Sequence, residues 1–422
     1  SHTKRPITIR HLIHSGISFG YFGLGGLILS VLSVVLIPLI PISMKKKMPV
    51  FHKLVSKFMK SVLYTNPLVS KKILNPYNED FKKQAVIIAN HTSFLDILAI
   101  GMLHHKIIFL VNDWVYNSPI FGRAVRMAGF YPVSDGLENG LDHLKKKVDQ
   151  GYSIAVFPEG TRSYTHKIKR FHKGAFLLAE TFHLDILPVL IHGNSEVLPK
   201  STFIIKDGDI TLKILERIKP SDTEFGKTYA EKTKTISSHF KKAFETFRKE
   251  LETETYFHAL VLEDYRYKGD VVFKTINTDL KKNGGSYFTL FQHINSNDKV
   301  FHLTDSYGQL NSLLALNAPG LSITSFIPDT HKAAIARYTA TATANGPYKL
   351  NYVTAFPETG FDVLVINLRN PKSLINLELP LKQPVKMLIL LHQGKILAEI
   401  HKLLTGKTLV LENDVLQLYK TN

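Results

Sequence analysis

The chain has 422 residues, of which 44% are hydrophobic. This length predicts more than one domain, and the apolar content excludes a wholly disordered chain. The absence of cysteine excludes disulfides, thiolate zinc sites and a cysteine nucleophile, and no spacing of histidines and carboxylates predicts a metal site. The formal net charge of +18 favours anionic partners such as phospholipid headgroups. Nucleic acid is not an expected partner, because the basic residues are spread out and no nucleic-acid-binding motif is present.

The first feature along the chain is an uncharged, largely apolar stretch, residues 15 to 43. About 20 apolar residues are enough to span a bilayer. Basic residues flank the stretch on both sides, which favours a cytoplasmic position for both of its ends. They are Lys4, Arg5, Arg10, Lys45, Lys46 and Lys47. We therefore predict a membrane anchor over residues 1–48, either a transmembrane helix or a re-entrant hairpin bent near Gly23–Gly26 or at Pro38 and Pro41. The alternative is a buried core helix, which the length of the uncharged stretch disfavours.

Two segments of alternating strand-like and helix-like pattern follow, over residues 49–255 and 256–422. This alternation predicts two α/β domains with largely parallel sheets. The strands predicted in the first domain are Ala85–Ala89, Ile107–Val111, Ser153–Phe157 and Ile186–Ile191. A polar helix from Tyr229 to Glu254 is predicted to close that domain as a solvated helix or linker. The strands predicted in the second domain are Val300–Leu303, Ser322–Ile327, Leu350–Ala355, Asp362–Asn367 and Lys386–Leu391, with a final hairpin of Thr408–Glu412 and Val415–Tyr419.

A histidine and an aspartate with four residues between them follow the first predicted strand, in Asn90-His91-Thr92-Ser93-Phe94-Leu95-Asp96. If a helix begins near Thr92 or Ser93, the carboxylate of Asp96 can reach back to the imidazole. A carboxylate on one ring nitrogen fixes the tautomer and makes the other nitrogen a better base. Without a protein nucleophile, such a base would act on a hydroxyl or amine of the substrate. A histidine that a nearby helix residue merely caps has the same spacing.

A second polar segment, Phe157-Pro158-Glu159-Gly160-Thr161-Arg162-Ser163, ends a predicted strand. Gly160 allows close approach of the backbone to a ligand, and the planar guanidinium of Arg162 suits a phosphate. Further positive charge follows, from Lys167, Lys169, Arg170, His172 and Lys173. The segment predicts an anion pocket, although Glu159 could instead form a structural ion pair with an arginine.

Together these segments resemble the first and third sequence blocks of the glycerolipid (lysophospholipid) acyltransferase family, and Asp185-Ile186-Leu187-Pro188-Val189 resembles the fourth. The resemblance covers roughly residues 15 to 250. It implies a membrane-bound enzyme that moves a fatty acyl group from acyl-CoA or acyl-ACP to a lysophospholipid or related lipid, with His91 as base and Asp96 as its orienting residue. It implies no cofactor and a position on the cytoplasmic face of a membrane, such as a bacterial inner membrane. The substrate-binding residues that it implies are Asn90, Glu159, Gly160, Thr161, Arg162, Ser163 and Pro188.

The chain departs from this family at one position. The second block usually carries an arginine that helps to hold acceptor phosphate, whereas Gly129–Asp135 has none, and the spacing of Arg123 and Arg126 is wrong for a replacement. The acceptor therefore stays open beyond lysophosphatidic acid. Two other functions also remain open, an acyl-thioester hydrolase that uses the same base on water and a non-enzymatic basic membrane-binding protein.

The second predicted domain resembles the S-adenosylmethionine (SAM) dependent methyltransferases in Val300–Gly308 and Ile323–Asp329. Thr304 and Ser306 stand where that family has glycines, and Ile327 and Asn367 stand where acidic residues are expected. The resemblance therefore implies a degenerate methyltransferase-like fold, in which Asp305, Gly308 and Asp329 are the remaining candidates for SAM contact. An acyltransferase followed by such a domain also resembles the tail of larger fusion proteins that begin with a lipid exporter of the resistance–nodulation–division type.

Overall fold

A computed structural model describes residues 7–163, 168–200, 202–342, 348–355, 360–369, 385–391 and 404–421. Lys167, which we predicted to add positive charge, lies outside the described residues. The chain divides into two compact units, Ile7–Arg248 and Lys249–Asn422. The boundary between the units along the chain follows Arg248, whereas the boundary predicted from the sequence follows residue 255. The predicted anchor belongs to the same unit as the first α/β domain.

The first unit is a mixed sheet between helices. Its strands are β1 (Val69–Leu74), β2 (Ala85–Ala89), β3 (Ile107–Val111), β4 (Tyr131–Pro132), β5 (Ser153–Val156), β6 (Asp185–His192) and β7 (Gly208–Ile214). Its helices are α1 (Ile9–Val31), α2 (Ile37–Leu39), α3 (Met44–Tyr64), α4 (Leu95–Gly101), α5 (Asp113–Tyr116), α6 (Gly122–Met127), α7 (Leu137–Asp149), α8 (Gly174–Thr181), α9 (Asn194–Val197) and α10 (Tyr229–Leu251), the last of which runs past the unit boundary.

The strand order is β1-β7-β6-β2-β5-β3-β4, and all neighbours are parallel except β6 and β7. The four predicted strands are confirmed as β2, β3, β5 and β6. Strands β2 and β3 are buried throughout because helices cover both faces of the sheet. Helix α10 is not merely solvated as predicted, since it buries a row of aromatic side chains, among them Phe240, Phe244 and Phe247.

The N-terminal apolar stretch is one long helix followed by a second, antiparallel helix. Helix α1 continues through a π-helical stretch, Leu32–Leu36, into α2, so that Ile9–Leu39 is long and apolar enough to cross a membrane. The chain then turns beside Pro41, and α3 packs back along α1, with the ring of Phe58 stacked 6.2 Å from that of Phe22. The bend predicted at Gly23–Gly26 is therefore wrong, because α1 runs through those residues without interruption.

Helix α1 is oriented with its small side chains inward. Its buried positions include Ser15, Ser18, Gly26 and Ser30, which allow close packing. Its exposed apolar residues are Ile9, Leu12, Ile13, Ile17, Leu24, Leu27, Ile28 and Val31. Only 28% of its most apolar window is buried, which argues against the alternative of a core helix.

The second unit is a seven-stranded sheet with an antiparallel end. Its strands are β8 (Lys299–Thr304), β9 (Ser322–Phe326), β10 (Lys349–Val353), β11 (Val363–Asn367), β12 (Met387–Leu391), β13 (Lys407–Glu412) and β14 (Leu416–Thr421). Its described helices are α11 (Glu254–Tyr265), α12 (Asp270–Thr289), α13 (Gln309–Asn317) and α14 (Thr330–Arg337). The order β10-β9-β8-β11-β12-β14-β13 is parallel up to β12, and β14 runs antiparallel to both of its neighbours. The predicted strands and the final hairpin are confirmed, and this fold is the expected methyltransferase-like one.

The turn between β6 and α9 is closely packed at Gly193, and a substitution there allows this packing to be tested. Gly193 has a φ of +92°, and a Cβ there would lie 1.7 Å from the backbone oxygen of Asp209. Gly151 has a φ of +90°, but its Cβ would meet only the mobile end of the Lys106 side chain. We expect Gly151→Ala to lower the free energy of unfolding by about 1–2 kcal/mol, the cost of a left-handed residue. Gly193→Ala should lower it by at least about 3 kcal/mol, since the backbone must also move. Equal losses in urea denaturation would contradict this account.

Candidate active site

A buried carboxylate organises the turn after β2. The side chain of Asp96 is wholly buried, and its Oδ2 lies 2.9 Å from Nδ1 of His91. The same oxygen accepts hydrogen bonds from the backbone N–H groups of Thr92 at 2.6 Å and Ser93 at 2.8 Å. Helix α4 begins at Leu95, later than the predicted start at Thr92 or Ser93. The carboxylate holds those two amides in the turn itself, which is why the helix begins after them.

The other carboxylate oxygen binds a residue that the sequence reasoning missed. Nδ2 of Asn194 donates to Oδ1 of Asp96 at 2.7 Å, and Asn194 is buried. Asn194 is the first residue of α9, directly after Gly193 and 98 positions from Asp96. The only available signal was its place just beyond the segment that resembles the fourth block. Asp96 therefore has four donors, and its orientation is fixed from both sides.

The imidazole of His91 presents its second nitrogen to a cavity. Because Asp96 accepts from Nδ1–H, Nε2 is left as the basic nitrogen, and it has no hydrogen-bond partner among the described residues. The ring stacks on Phe157, with centroids 4.3 Å apart and planes at 20°. These contacts fix both the tautomer and the ring plane.

The cavity beside His91 has a volume of about 280 Å³ and is mostly apolar. Its apolar walls include Phe94, Ile97, Leu110, Trp114, Val115, Val133 and Leu137. Its polar lining comes from His91, Asn112, Arg162 and His172. A smaller, wholly apolar cavity shares Phe94, Ile97 and Val115 with it and extends below α1 and α3. The site thus joins a basic nitrogen and a guanidinium to an apolar space.

The Phe157–Ser163 loop divides into cavity residues and supporting residues. Gly160 and Arg162 line the cavity, and Gly160 has a φ of +70°, which favours glycine. Thr161 is exposed and accepts from Nζ of Lys169 at 3.0 Å. Ser163 is buried and donates its backbone N–H to the carbonyl of His91 at 2.7 Å. The loop is therefore bonded directly to the backbone of His91.

Glu159 holds two loops together. It is buried, and its two oxygens accept the backbone N–H groups of His91 and Lys169, each at 2.8 Å. Burial raises the pKa of this carboxyl group, and the two amide hydrogen bonds act in the opposite direction. Glu159 thus positions His91 through the backbone. It is not among the residues that line the cavity, and its described contacts do not include an ion pair with an arginine.

Two other predicted substrate residues also lie in the scaffold. The Asn90 side chain bonds to both the N–H and the carbonyl of Ile191, each at 2.8 Å, and so extends the pairing of β2 with β6. Pro188 is buried within β6 opposite Ile88, away from the cavity lining. Arg123 and Arg126 do not line the cavity either, and Arg126 donates to the carbonyl of Tyr116.

The second unit does not fit SAM at the predicted positions. Thr304 and Ser306 bury their hydroxyls 2.7 Å from each other, in the place where glycines would admit a cofactor. The Asp305 carboxylate accepts the N–H of Arg369 at 2.9 Å. The carboxylate of Asp329 caps α14 by accepting two backbone N–H groups.

Side chains of the same unit also pack closely around Gly308. A Cβ at Gly308 would lie 2.3 Å from the hydroxyl oxygen of Tyr352. Nζ of Lys332 donates to the Asp305 carbonyl at 2.6 Å and lies 5.5 Å from the centre of the Tyr307 ring. Ile327, which stands where a ribose-binding acid is expected, is buried. No group of three or more metal-ligating side chains is present in the parts of the chain that the structure describes.

The model of the family described as Acyltransferase matches residues 68–192. A chloroplastic 1-acyl-sn-glycerol-3-phosphate acyltransferase of Arabidopsis thaliana is 32% identical over 149 residues, which cover 33% of this chain and 41% of that protein. The crystal structure of the 1-acyl-sn-glycerophosphate acyltransferase PlsC from Thermotoga maritima has a TM-score of 0.48 and 22% identity, covering 56% of this chain and 97% of that one. TrmN from Thermus thermophilus has a TM-score of 0.26 and 11% identity, covering 75% of this chain and 71% of that one.

The stretch that the family model matches lies within the first unit. The chain spans about two fifths of the length of the Arabidopsis relative and of a similar chloroplastic enzyme from Brassica napus. The matched residues 68–192 run from just before β1 to the end of β6. They include His91, Asp96 and Arg162 but not Asn194.

The role of Glu159 can be tested by its amide. In Glu159→Gln the remaining oxygen can accept only one of the two backbone N–H groups. The new NH₂ group faces the second N–H group, which loses its hydrogen-bond acceptor. We expect the free energy of unfolding to fall by about 1–3 kcal/mol and hydrogen exchange to accelerate at the amide of His91 or Lys169. The exposed Glu180 provides the matched Glu→Gln control, with a change within about 0.5 kcal/mol. Unchanged exchange at both amides would contradict the positioning role.

Proposed function

We propose, from the match of residues 68–192 to the acyltransferase family model, that this chain transfers a fatty acyl group from acyl-CoA or acyl-ACP to a hydroxyl of a lysophospholipid or related lipid. One observation carries the proposal. His91 is held by Asp96 on one side and turns its free nitrogen towards an apolar cavity with a guanidinium at its edge. A base, an apolar space and a cation are what this transfer requires.

The reaction would proceed in one displacement. Nε2 of His91 takes the proton of the acceptor hydroxyl as its oxygen attacks the thioester carbonyl. The tetrahedral intermediate collapses, the new C–O bond remains and the C–S bond breaks. The leaving thiolate then receives the proton from His91. A positioned base of this kind contributes about 10²–10⁴-fold to the rate.

The cavity lining supports direct attack by the acceptor. Among the described residues that line it there is no serine, threonine, tyrosine or cysteine. The hydroxyl of Ser93, two residues after His91, donates to the carbonyl of Leu198 at 2.7 Å. A covalent acyl-enzyme would need a nucleophile that this lining lacks, so we infer transfer without one.

The walls of the cavity support lipid substrates. The apolar side, which shares Phe94, Ile97 and Val115 with the second cavity, suits an acyl chain. Arg162 and His172 lie at the polar edge, where an anionic headgroup would be attracted. In the region of the missing arginine, Ser134 bonds to the carboxylate of Asp113 instead. An acceptor therefore need not carry a phosphate that faces the Gly129–Asp135 stretch.

The helices α1 to α3 support attachment to a membrane. The apolar face of α1 is exposed over its whole length, and α3 carries exposed lysines along one side, namely Lys46, Lys53, Lys57 and Lys60. An apolar face beside a basic stripe suits a bilayer with anionic lipids. We place the enzyme at the cytoplasmic face of a membrane, such as a bacterial inner membrane.

An acyl-transfer assay with detergent-solubilised full chain tests this function. Labelled acyl-CoA and acyl-ACP would be offered with a panel of lysolipids and of hydroxyl- or amine-bearing lipids. We expect acylated lipid from the wild type and a loss of about 10²–10⁴-fold in His91→Ala and Asp96→Asn, because Asp96→Asn places an amide against Nδ1 and disfavours the active tautomer. The exposed His239 gives a matched control, His239→Ala, which should retain activity.

Other results would select other functions. Free fatty acid without acylated lipid, lost in His91→Ala, would identify an acyl-thioester hydrolase. Acylated lipid formed at the wild-type rate by His91→Ala would exclude the base mechanism. Vesicle binding with no turnover of any donor would favour a non-enzymatic membrane-binding protein.

We further propose that the second unit does not bind SAM, because side chains fill the loop after β8. Calorimetric titration of the full chain with SAM should give no saturable binding tighter than about 1 mM. A stoichiometric, saturable signal that Gly308→Ala abolishes would overturn this proposal and make the second unit a candidate methyltransferase.

A further inference from the structure

An extended segment between α9 and β7, residues 202–207, runs along the membrane helix α1. Its alternate residues face the helix. Phe203 packs edge-on against Phe19, with ring centroids 5.9 Å apart. The backbone of Ile205 bonds to Oγ of Ser15, with the N–H donating at 2.7 Å. Asp207 forms ion pairs with Arg10 and His11.

The spacing of these contacts matches the geometry of both elements. Two residues of extended chain rise about 6.6 Å, and four residues of an α-helix rise about 6 Å. Residues 203, 205 and 207 can therefore contact residues 19, 15 and 11 of α1, respectively, with the segment running antiparallel to the helix. This match makes residues 202–207 a fixed companion of α1 rather than a free loop.

The contacts differ in what they contribute. The Arg10–Asp207 pair is solvent-exposed on both sides, and such pairs contribute little. The bond between Ser15 and the Ile205 N–H is buried and is costly to break. These two interactions account for the path of the segment, but they do not account for Phe203.

Phe203 is 81% exposed, the highest fraction of any large apolar side chain described. Its neighbour Phe19 is seven residues from Leu12 and so lies on the same stripe of α1, and Leu12 is itself 53% exposed. Phe203 thus extends the exposed apolar face of α1 sideways. An exposed aromatic side chain continuous with an apolar helix face fits a hydrocarbon environment.

We propose that Phe203 enters the same lipid bilayer as α1 and gives the enzyme a second point of membrane contact. The inference rests on the proposed membrane attachment of α1. It adds a second contact, from a side chain that lies 184 positions after Phe19 in the chain. The occupant of this surface is lipid, because the surface is continuous with the helix face that is proposed to enter the membrane.

The position of the segment gives this contact a consequence for the site. Just before it, the carbonyl of Leu198 accepts the hydroxyl of Ser93 at 2.7 Å, and Nζ of Lys200 donates to the carbonyl of Arg162 at 3.3 Å. Both partners lie in the two loops that form the site. Insertion of Phe203 would therefore hold the polar edge of the cavity at the depth of lipid headgroups.

The absence of cysteine allows a direct test with single introduced cysteines. Phe203→Cys would be labelled with an environment-sensitive fluorophore in the full chain and mixed with vesicles of phosphatidylglycerol and phosphatidylethanolamine. We expect a blue-shifted emission and quenching by lipids that carry a quencher in the acyl chain. Leu12→Cys on α1 reports on the proposed anchor.

Tyr77→Cys is the matched negative control. Tyr77 is 55% exposed. It follows the far end of β1, because the first residue of that strand, Val69, is the one that pairs with Gly208 beside residues 202–207. A blue shift at positions 12 and 203 but not 77 supports the inference. A shift at position 12 alone would overturn it and leave the anchor intact. No shift at either position 12 or 203 would overturn the anchor as well, without bearing on acyl transfer in detergent.

A functional comparison separates membrane contact from folding. Phe203→Ser should weaken vesicle binding about tenfold, the value of one buried aromatic side chain, and raise KM for acceptor presented in vesicles. Its kcat, and its activity on acceptor in detergent micelles, should stay at the wild-type level. Phe203→Trp should restore vesicle binding. An equal loss in vesicles and micelles would indicate damage to the fold and contradict a membrane role.

Discussion

The first unit depends on a buried carboxylate that is completely supplied with donors. Removing an ionised carboxylate from water is costly unless hydrogen bonds replace the lost solvation. Asp96 receives them from the turn at Thr92 and Ser93, from His91, and from Asn194 across the sheet. The same bonds that compensate its burial also close the turn after β2 and direct the imidazole. The bonds that fold this turn are therefore the same bonds that orient the imidazole of His91.

The site is held together mainly by bonds to backbone atoms. Asn90 joins β2 to β6, Glu159 joins His91 to the loop at Lys169, and Ser163 donates to the carbonyl of His91. A polar side chain beside a base need not touch the substrate, because it can act by fixing the chain that carries the base. Only Gly160 and Arg162 of the predicted binding residues line the cavity.

The sequence predicted what local pattern determines and missed what distant pairing determines. Wholly buried strands such as β2 and β3 are recognisable as apolar runs, whereas β4 has two residues and β1 contains two lysines, of which Lys72 is exposed. The pair His91 and Asp96 is separated by four residues, so its spacing was readable. Asn194 could not be assigned, because only the order of β2 and β6 in the sheet brings it to Asp96. The targets of Glu159 are amides, which every residue has and no motif marks.

Each of the two units buries a hydrogen-bonded carboxylate, and the surroundings of the two carboxylates differ. Asp279 is buried in the second unit and binds Asn283, Tyr287, Gln309 and Arg369. Each of these partners is a side chain of the same fold, and Arg369 extends from the loop after β11, at the edge of the sheet where a cofactor would lie. The network around Asp96 has instead one open end, the second nitrogen of His91, and that end meets a cavity. Burial and hydrogen bonding are alike in both, and the nitrogen of His91 that faces a cavity is the feature on which the proposed chemistry rests.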